Sequence, residues 1–347
     1  MAKFWMTLFL FSLLVSVAAV QGIFFLKNAP SSIEVYKVID IPEGASFGEA
    51  TALLHQEGLV TKPLYFSLLG KWTRSEKNIK PGEYAFHTAM RPMELLEMLV
   101  RGKILQHPVT IPEGATSAQI GNALEEARLL SAEVFLKVVQ DPSLLKEFGI
   151  EGETMEGYLF PDTYYFAKRT PPLEIVKRMV AQFQTGYNES LRKRADALGM
   201  TQREVVTLAS IIEEETASPP ERPLISAVFH NRLKKKMRLQ SDPTVIFSLT
   251  DFNGNLTKKN LQVPSPYNTY RFGGLPPGPI SNPGRESLYA ALFPADVDYL
   301  YFVSRNDGTH FFSATLRDHN NAVRKYQKRK REVTCLLCPQ KTTAGSS

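Results

Sequence analysis

VVTLASIIEEETASPPER, Val205 to Arg222, sets an apolar run directly before three consecutive glutamates. Apolar residues recur at helical spacing through Val205, Val206, Leu208, Ala209, Ile211 and Ile212, which predicts a helix ending near Ala217. Ser218 followed by Pro219 predicts the start of the next helix. Steps of three and four residues sort the glutamates onto different stripes. Val205, Leu208, Ile212 and Glu215 share the apolar stripe. Val206, Ala209 and Glu213 share a flanking one, and Thr207, Ser210 and Glu214 share a polar one expected to face water. Glu215 is therefore the carboxylate expected to continue a core-facing line. Burial raises a carboxyl pKa, and the carbonyls at a helix C-terminus disfavour negative charge, so Glu215 is a candidate general acid. An alternative at this point is a joint between helices, with Glu215 paired to Arg222 or Arg232.

The whole chain bounds the choice. Its 347 residues suffice for two or three domains, and 43% hydrophobic with 22% charged residues describe a globular protein. A net charge of +6 is mild, and no nucleic-acid motif accompanies it, so no nucleic-acid partner is expected. Phe4 to Leu26 holds no charged side chain between Lys3 and Lys27 and is long enough to cross a bilayer. A cleaved signal peptide is the rival, since Ser16-Val17-Ala18 offers small residues of cleavage-site type. The apolar run continues past that site to Leu26, which favours an uncleaved anchor. Cys335 and Cys338 have neither the second pair that zinc needs nor a following His for haem, so no metal is expected there.

Two segments echo each other: Ile41-Pro-Glu-Gly-Ala-Ser46 and Ile111-Pro-Glu-Gly-Ala-Thr116. Each follows a strand-like piece and opens a helix with capping-box spacing, Ser46 to Glu49 and Thr116 to Gln119. The first copy continues through a helix from Pro63, a strand Gly82 to Phe86 and a helix Pro92 to Arg101 stopped by Gly102, a βααβ unit plus one helix. Further on, one helix is expected over 172–198 and another over 221–236, with Asp242 capping the next. Residues 264–284 are rich in Pro and Gly yet carry Tyr267, Asn268, Thr269, Tyr270 and Asn282, residue types suited either to a sugar groove or to a well-packed loop. Asn306-Asp-Gly308 predicts a hairpin. Near it, His310 and His319 lack further ligand spacing and are read as structural.

Taken together these motifs resemble the endolytic murein transglycosylases, the YceG-like family, from about Tyr36 to Lys328. The matching stretches are EGYLFPDTY (156–164), LASIIEEET (208–216), HNRLKKKMRLQSDPTVIFSL (230–249), PYNTY (266–270) and GLPPGPISNPG (274–284). The resemblance implies an α+β chain: a cytoplasmic tip and anchor over 1–30, a LysM-like βααβ module over 34–106 and a transglycosylase domain over 107–330. The tail over 331–347, rich in Thr, Lys and Ser, is extra to the family and expected to be disordered. IPEGAS stands where LysM sequences have a Gly-Asp-Thr turn, which puts glycan binding by that module in doubt. Glu214 sits where a basic residue is common. The family's catalytic acid, the last glutamate before the Thr, falls on Glu215, and the implied reaction cuts MurNAc-β-1,4-GlcNAc bonds to leave 1,6-anhydro ends. Arg238, Gln240, Asp242, Tyr267, Asn268, Thr269 and Asn282 are the groove candidates, with helix capping the alternative for Asp242. No cofactor is implied. The implied partners are peptidoglycan strands, cell-wall synthases and the inner membrane. The rivals are a hydrolytic muramidase using Asp162 or Asp242 as second carboxylate, and a binding scaffold without turnover.

Overall fold

A computed structural model describes residues 2–328 of the chain. It is a mixed α+β architecture in two compact units, one of residues 2–108 with 165–170, the other of 109–164 with 171–328. The readings on Cys335, Cys338 and the tail over 331–347 fall outside the described residues.

In the first unit, α1 (Ala2–Lys27) is an apolar helix whose Phe4–Lys27 span is long and apolar enough to cross a membrane. β1 (Tyr36–Ile41) precedes α2 (Phe47–Gln56), α3 (Pro63–Trp72), β2 (Gly82–His87) and α4 (Pro92–Arg101), the expected βααβ-plus-helix order. β1 and β2 pair antiparallel, from Tyr36 opposite His87 to Ile41 opposite Gly82. The capping box at α2 is closed: Ser46 Oγ accepts from Glu49 N–H, and the Glu49 carboxylate accepts from Ser46 N–H at 2.7 Å. Gly102 stops α4 in the left-handed region (φ 66°), where a side chain would be strained. Ile41, Leu54, Phe66, Tyr84, Phe86, Leu95 and Leu99 fill the core. Burying each contributes ~1.5–3 kcal/mol. Residues 165–170 belong here through side chains. Lys168 Nζ reaches Glu83 at 2.6 Å, and Arg169 donates to Asp40 at 2.7 Å and to the Ile41 carbonyl at 3.2 Å.

β3 (His107–Thr110) follows, and the second copy of the turn opens α5 (Ser117–Glu126) with the same closed box, Thr116 to Gln119. Then come α6 (Ala132–Val139), α7 (Pro142–Glu147), β4 (Thr163–Phe166), which ladders with β3, and α8 (Pro172–Gly186). The single helix expected over 172–198 is two: α9 (Glu189–Leu198) starts anew because Asn188 Oδ1 accepts from Ser190 N–H (3.0 Å) and Leu191 N–H (3.2 Å).

α10 (Gln202–Glu215) carries the opening stretch and is buried on every face from Val205 to Ile212. The expectation that Thr207 and Ser210 face water is thereby corrected. They are 1% and 0% exposed, because Ser210 Oγ donates to the Thr207 carbonyl and accepts from Ile280 N–H. α11 (Arg222–Lys234) follows without a side-chain cap from Ser218, and α12 (Asp242–Phe247) is preceded by Ser241 as its N-cap. α13 (Arg285–Leu292) packs along α10. The expected hairpin forms from β5 (Tyr301–Ser304) and β6 (His310–Ser313), ahead of α14 (Leu316–Val323).

Candidate active site

The three glutamates end α10 at the mouth of an open cleft of ≈ 730 Å³. Its opposite wall is the second turn copy and α5, among them Glu113, Gly114, Gln119 and Ala123. The turn that opens the second repeat copy thus lines one wall of the cleft. It is fixed there by a two-way backbone exchange, Gly114 N–H to the Asn282 carbonyl (3.0 Å) and Asn282 N–H to the Ala115 carbonyl (3.1 Å).

Each glutamate has its own task. Glu213, expected on a flanking stripe, has a buried side chain, 6% exposed. It pairs with Arg222 at 2.9 Å and accepts from Gly284 N–H at 2.8 Å. Arg222 also reaches Glu113 at 3.3 Å. Burial, then the neighbouring Glu213, push the Glu113 carboxyl up, and Arg222 opposes them. The ion pair allowed for Glu215 therefore belongs to Glu213. Glu214 is exposed as a residue but lines the cleft, its carboxylate lying beside Gly114, and burial pushes that carboxyl up.

Glu215 is half-buried and lines the cleft. Burial pushes its carboxyl up to about 7, the Ser241 hydrogen bond pulls the other way, and the nearby Asp242 charge adds to the rise. The contact is short: Ser241 Oγ donates to Glu215 Oε1 at 2.5 Å. A carboxyl half-protonated near neutral pH can give a proton and take one back.

Ser241 is held in turn. Thr269 Oγ1 accepts from Ser241 N–H at 3.0 Å and lies 2.8 Å from Thr244 Oγ1. Asn268 fixes that loop, donating to the carbonyls of Leu261 and Val263 and accepting from Tyr270 N–H. Asn268 and Thr269 are 0% and 2% exposed, so both are spent on positioning. Asn282 is also 0% exposed and uses its whole amide: Oδ1 accepts from Gly157 and Leu159 N–H, and Nδ2 donates to the Ala115 carbonyl and Glu156 Oε1. None of its four hydrogen-bonding positions remains for a sugar.

Arg238, Gln240 and Asp242 are exposed around buried Ser241. Arg238 donates to the Tyr270 carbonyl at 3.1 Å, and Gln240 holds a left-handed backbone (φ 52°). Asp242 does not cap α12. Its carboxylate accepts from Tyr270 Oη–H at 2.6 Å instead. Tyr267 packs its ring on Phe247 at 5.0 Å. Asp162 is occupied by Gln182 Nε2 (2.6 Å) and does not line the Glu215 cleft. His310 is bound by Glu221 at 2.7 Å, and no metal-binding cluster occurs among the described residues.

Sequence reasoning missed Ser241, Glu113 and Glu156. Ser241 was passed over because the following Asp-Pro looked like the cap. Glu113 was hidden as one letter of a repeated turn. Glu156 is 8% exposed, accepts from Ser117 N–H at 3.0 Å, and is pushed up to about 7 by burial.

The profile of the YceG-like family matches residues 39–325. An endolytic murein transglycosylase of Bacillus subtilis (strain 168) is 33% identical over 310 residues, 85% of this chain and 86% of that protein. An endolytic murein transglycosylase of Streptococcus pneumoniae serotype 2 (strain D39 / NCTC 7466) is 30% identical over 326 residues, 84% of this chain but 58% of that longer protein. A crystal structure of a YceG-like protein from Listeria monocytogenes superposes with a TM-score of 0.59 at 34% identity, covering 82% of this chain and 98% of that one. With a profile spanning both units and relatives matched over most of the chain, the protein belongs to the YceG-like family.

Proposed function

We propose that the chain is an endolytic peptidoglycan lytic transglycosylase, a lyase that cuts MurNAc-β-1,4-GlcNAc bonds within glycan strands, with Glu215 as its acid/base. The observation that carries this reading is one cleft-lining carboxyl poised near pH 7, in a chain whose relatives are named endolytic murein transglycosylases. Glu215 gives its proton to the bridging oxygen as the C1–O bond breaks, and GlcNAc departs as the alcohol. The resulting carboxylate takes the proton of the muramic acid C6 hydroxyl as O6 closes onto C1. Water adds to neither sugar, so the new end is 1,6-anhydro and Glu215 is restored to its acid form. One group serves both steps, unlike the carboxylate pair of an ordinary glycosidase. Exposed Arg238, Gln240 and Asp242, with Tyr267, would contact sugar, whereas Asn268, Thr269 and Asn282 would hold the walls.

The wider assignment follows. α1 would anchor the chain in the inner membrane, with both units on the outer, periplasmic side. The βααβ unit would be a LysM-like module over 34–106 that meets glycan, and cleavage would end nascent strands beside the synthases. Asp242 supports a second reading: its charge acts on Glu215 and its side chain is exposed, so it could direct a water and make the enzyme a hydrolase.

Mass spectrometry of purified glycan strands after digestion decides between them. Anhydro ends support the proposal, reducing ends support the hydrolase, and no new ends leave only a scaffold.

A further inference from the structure

α3 carries an apolar face that its own unit does not cover. Leu64, Leu68 and Trp72 lie four residues apart on one ridge, 70%, 51% and 76% exposed. Phe66, Leu69 and Gly70 on the opposite side are buried in the core, so the exposed ridge is additional to what folding needs. Basic residues flank it. Residues 58–75 contain Lys62, Lys71 and Arg74 and no acidic residue.

The position of this ridge along α1 identifies what covers it. Tyr65 Oη donates to the Ala18 carbonyl at 3.4 Å, its ring meets Phe25 at 6.0 Å, and Lys62 Nζ reaches Gln21 Oε1 at 3.3 Å. An apolar groove lined by Gly22, Phe25, Leu26, Tyr65, Leu68 and Trp72 runs between the two helices. These contacts fall on Ala18 to Leu26, the last ~12 Å of the helix at 1.5 Å per residue. A bilayer core of about 30 Å takes up roughly 20 residues of the Phe4–Leu26 run, so the stretch beside α3 runs from roughly 8–12 Å inside the core at Ala18 out to its boundary near Leu26.

We infer that α3 lies in the membrane interface, its Leu64–Leu68–Trp72 ridge set among the acyl chains of the outer leaflet, with Lys62, Lys71 and Arg74 at the level of anionic headgroups. This deepens the anchoring proposed above and rests on it. Leu and Trp on one side with Lys and Arg at the rim is the composition of a helix lying in an interface. Trp settles at that level, while basic side chains extend their charge toward water and phosphate. The first unit is thereby held against the bilayer by two attachments instead of one flexible stalk.

The chain's two tryptophans, Trp5 and Trp72, make the test direct. The full-length protein is reconstituted in phosphatidylcholine–phosphatidylglycerol vesicles whose acyl chains are brominated either near the headgroup or near the chain end. In Trp5→Phe, Trp72 emission is expected to be quenched, more strongly by bromine near the headgroup. Adding Leu64→Asp and Leu68→Asp should abolish that quenching while the protein stays in the vesicles. If Trp72 is unquenched while Trp5, read in Trp72→Phe, is quenched, the anchor stands and the interfacial helix is refuted. If neither is quenched, the anchor itself is refuted and the inference with it. If Trp72 is reached by neither brominated lipid nor aqueous iodide, a protein surface covers the ridge and the lipid assignment is overturned.

Discussion

Glu215→Gln keeps the size of the side chain and an oxygen for Ser241 Oγ–H, but removes the transferable proton. Release of anhydro ends should fall ~10²–10⁴-fold, measured per folded molecule. Glu214→Gln, on an exposed side chain, should leave turnover nearly unchanged in the same assay. The pH dependence follows from the raised pKa. The acid form starts the reaction, so activity should decline as pH rises through about 7. Ser241→Ala removes the hydrogen bond that favours the ionised form, so this decline should move to higher pH. Stability has the same sign. A carboxyl raised from 4.5 to about 7 binds more protons folded than unfolded between those values. Its contribution is whole below pH 4.5 and is lost as pH climbs through 7. Melting curves across that range should therefore slope less in Glu215→Gln than in the parent, with a higher Tm at neutral pH.

Among the elements, Asn282 ties the turn before α5, the 156–159 loop and the loop before α13 with one amide. Asn282→Ala would strand the N–H of Gly157 and Leu159 in a dry interior, while the Ala115 carbonyl keeps the backbone N–H of residue 282. At ~1–3 kcal/mol for each unsatisfied group, partly relieved by relaxation, the loss should be about 3 kcal/mol. For a unit of this size that is a fall of roughly 6–12 °C in Tm by calorimetry. Local patterns made much of this legible. The two capping boxes, the Gly102 stop and the Asn-Asp-Gly hairpin depend on residues a few positions apart, and all three stand as read. Phasing along α10 reached Glu215 but misjudged its neighbours. A helix enclosed on all sides has no wet stripe, and only the packing of α13 and the 280–284 loop reveals that enclosure. Ser241 and Asn282 were obscure for a related reason. Each acts through partners far along the chain, 26 residues away for Ser241 and up to 167 for Asn282, a distance over which periodicity carries no signal.

For the molecule as a whole, the division of labour between the units is testable. A chain beginning at His107 retains the whole Glu215 cleft and should still release anhydro ends from short soluble glycans. It should sediment less with intact peptidoglycan if the βααβ unit meets glycan. Equal sedimentation would remove that role. With α1 intact, the full chain should stay with membranes through a high-salt wash and keep Met1 or Ala2 at its N-terminus. The 167-residue reach of the Asn282 amide to Ala115 also sets an order in time. A polypeptide emerges N-terminus first, so one wall of the cleft waits unfastened until the other has been made. Long-range closure of this kind comes late in folding. Over the 67 residues made between Glu215 and Asn282 the chain therefore holds its proposed acid without a groove to use it in, and would be able to cut only when nearly complete.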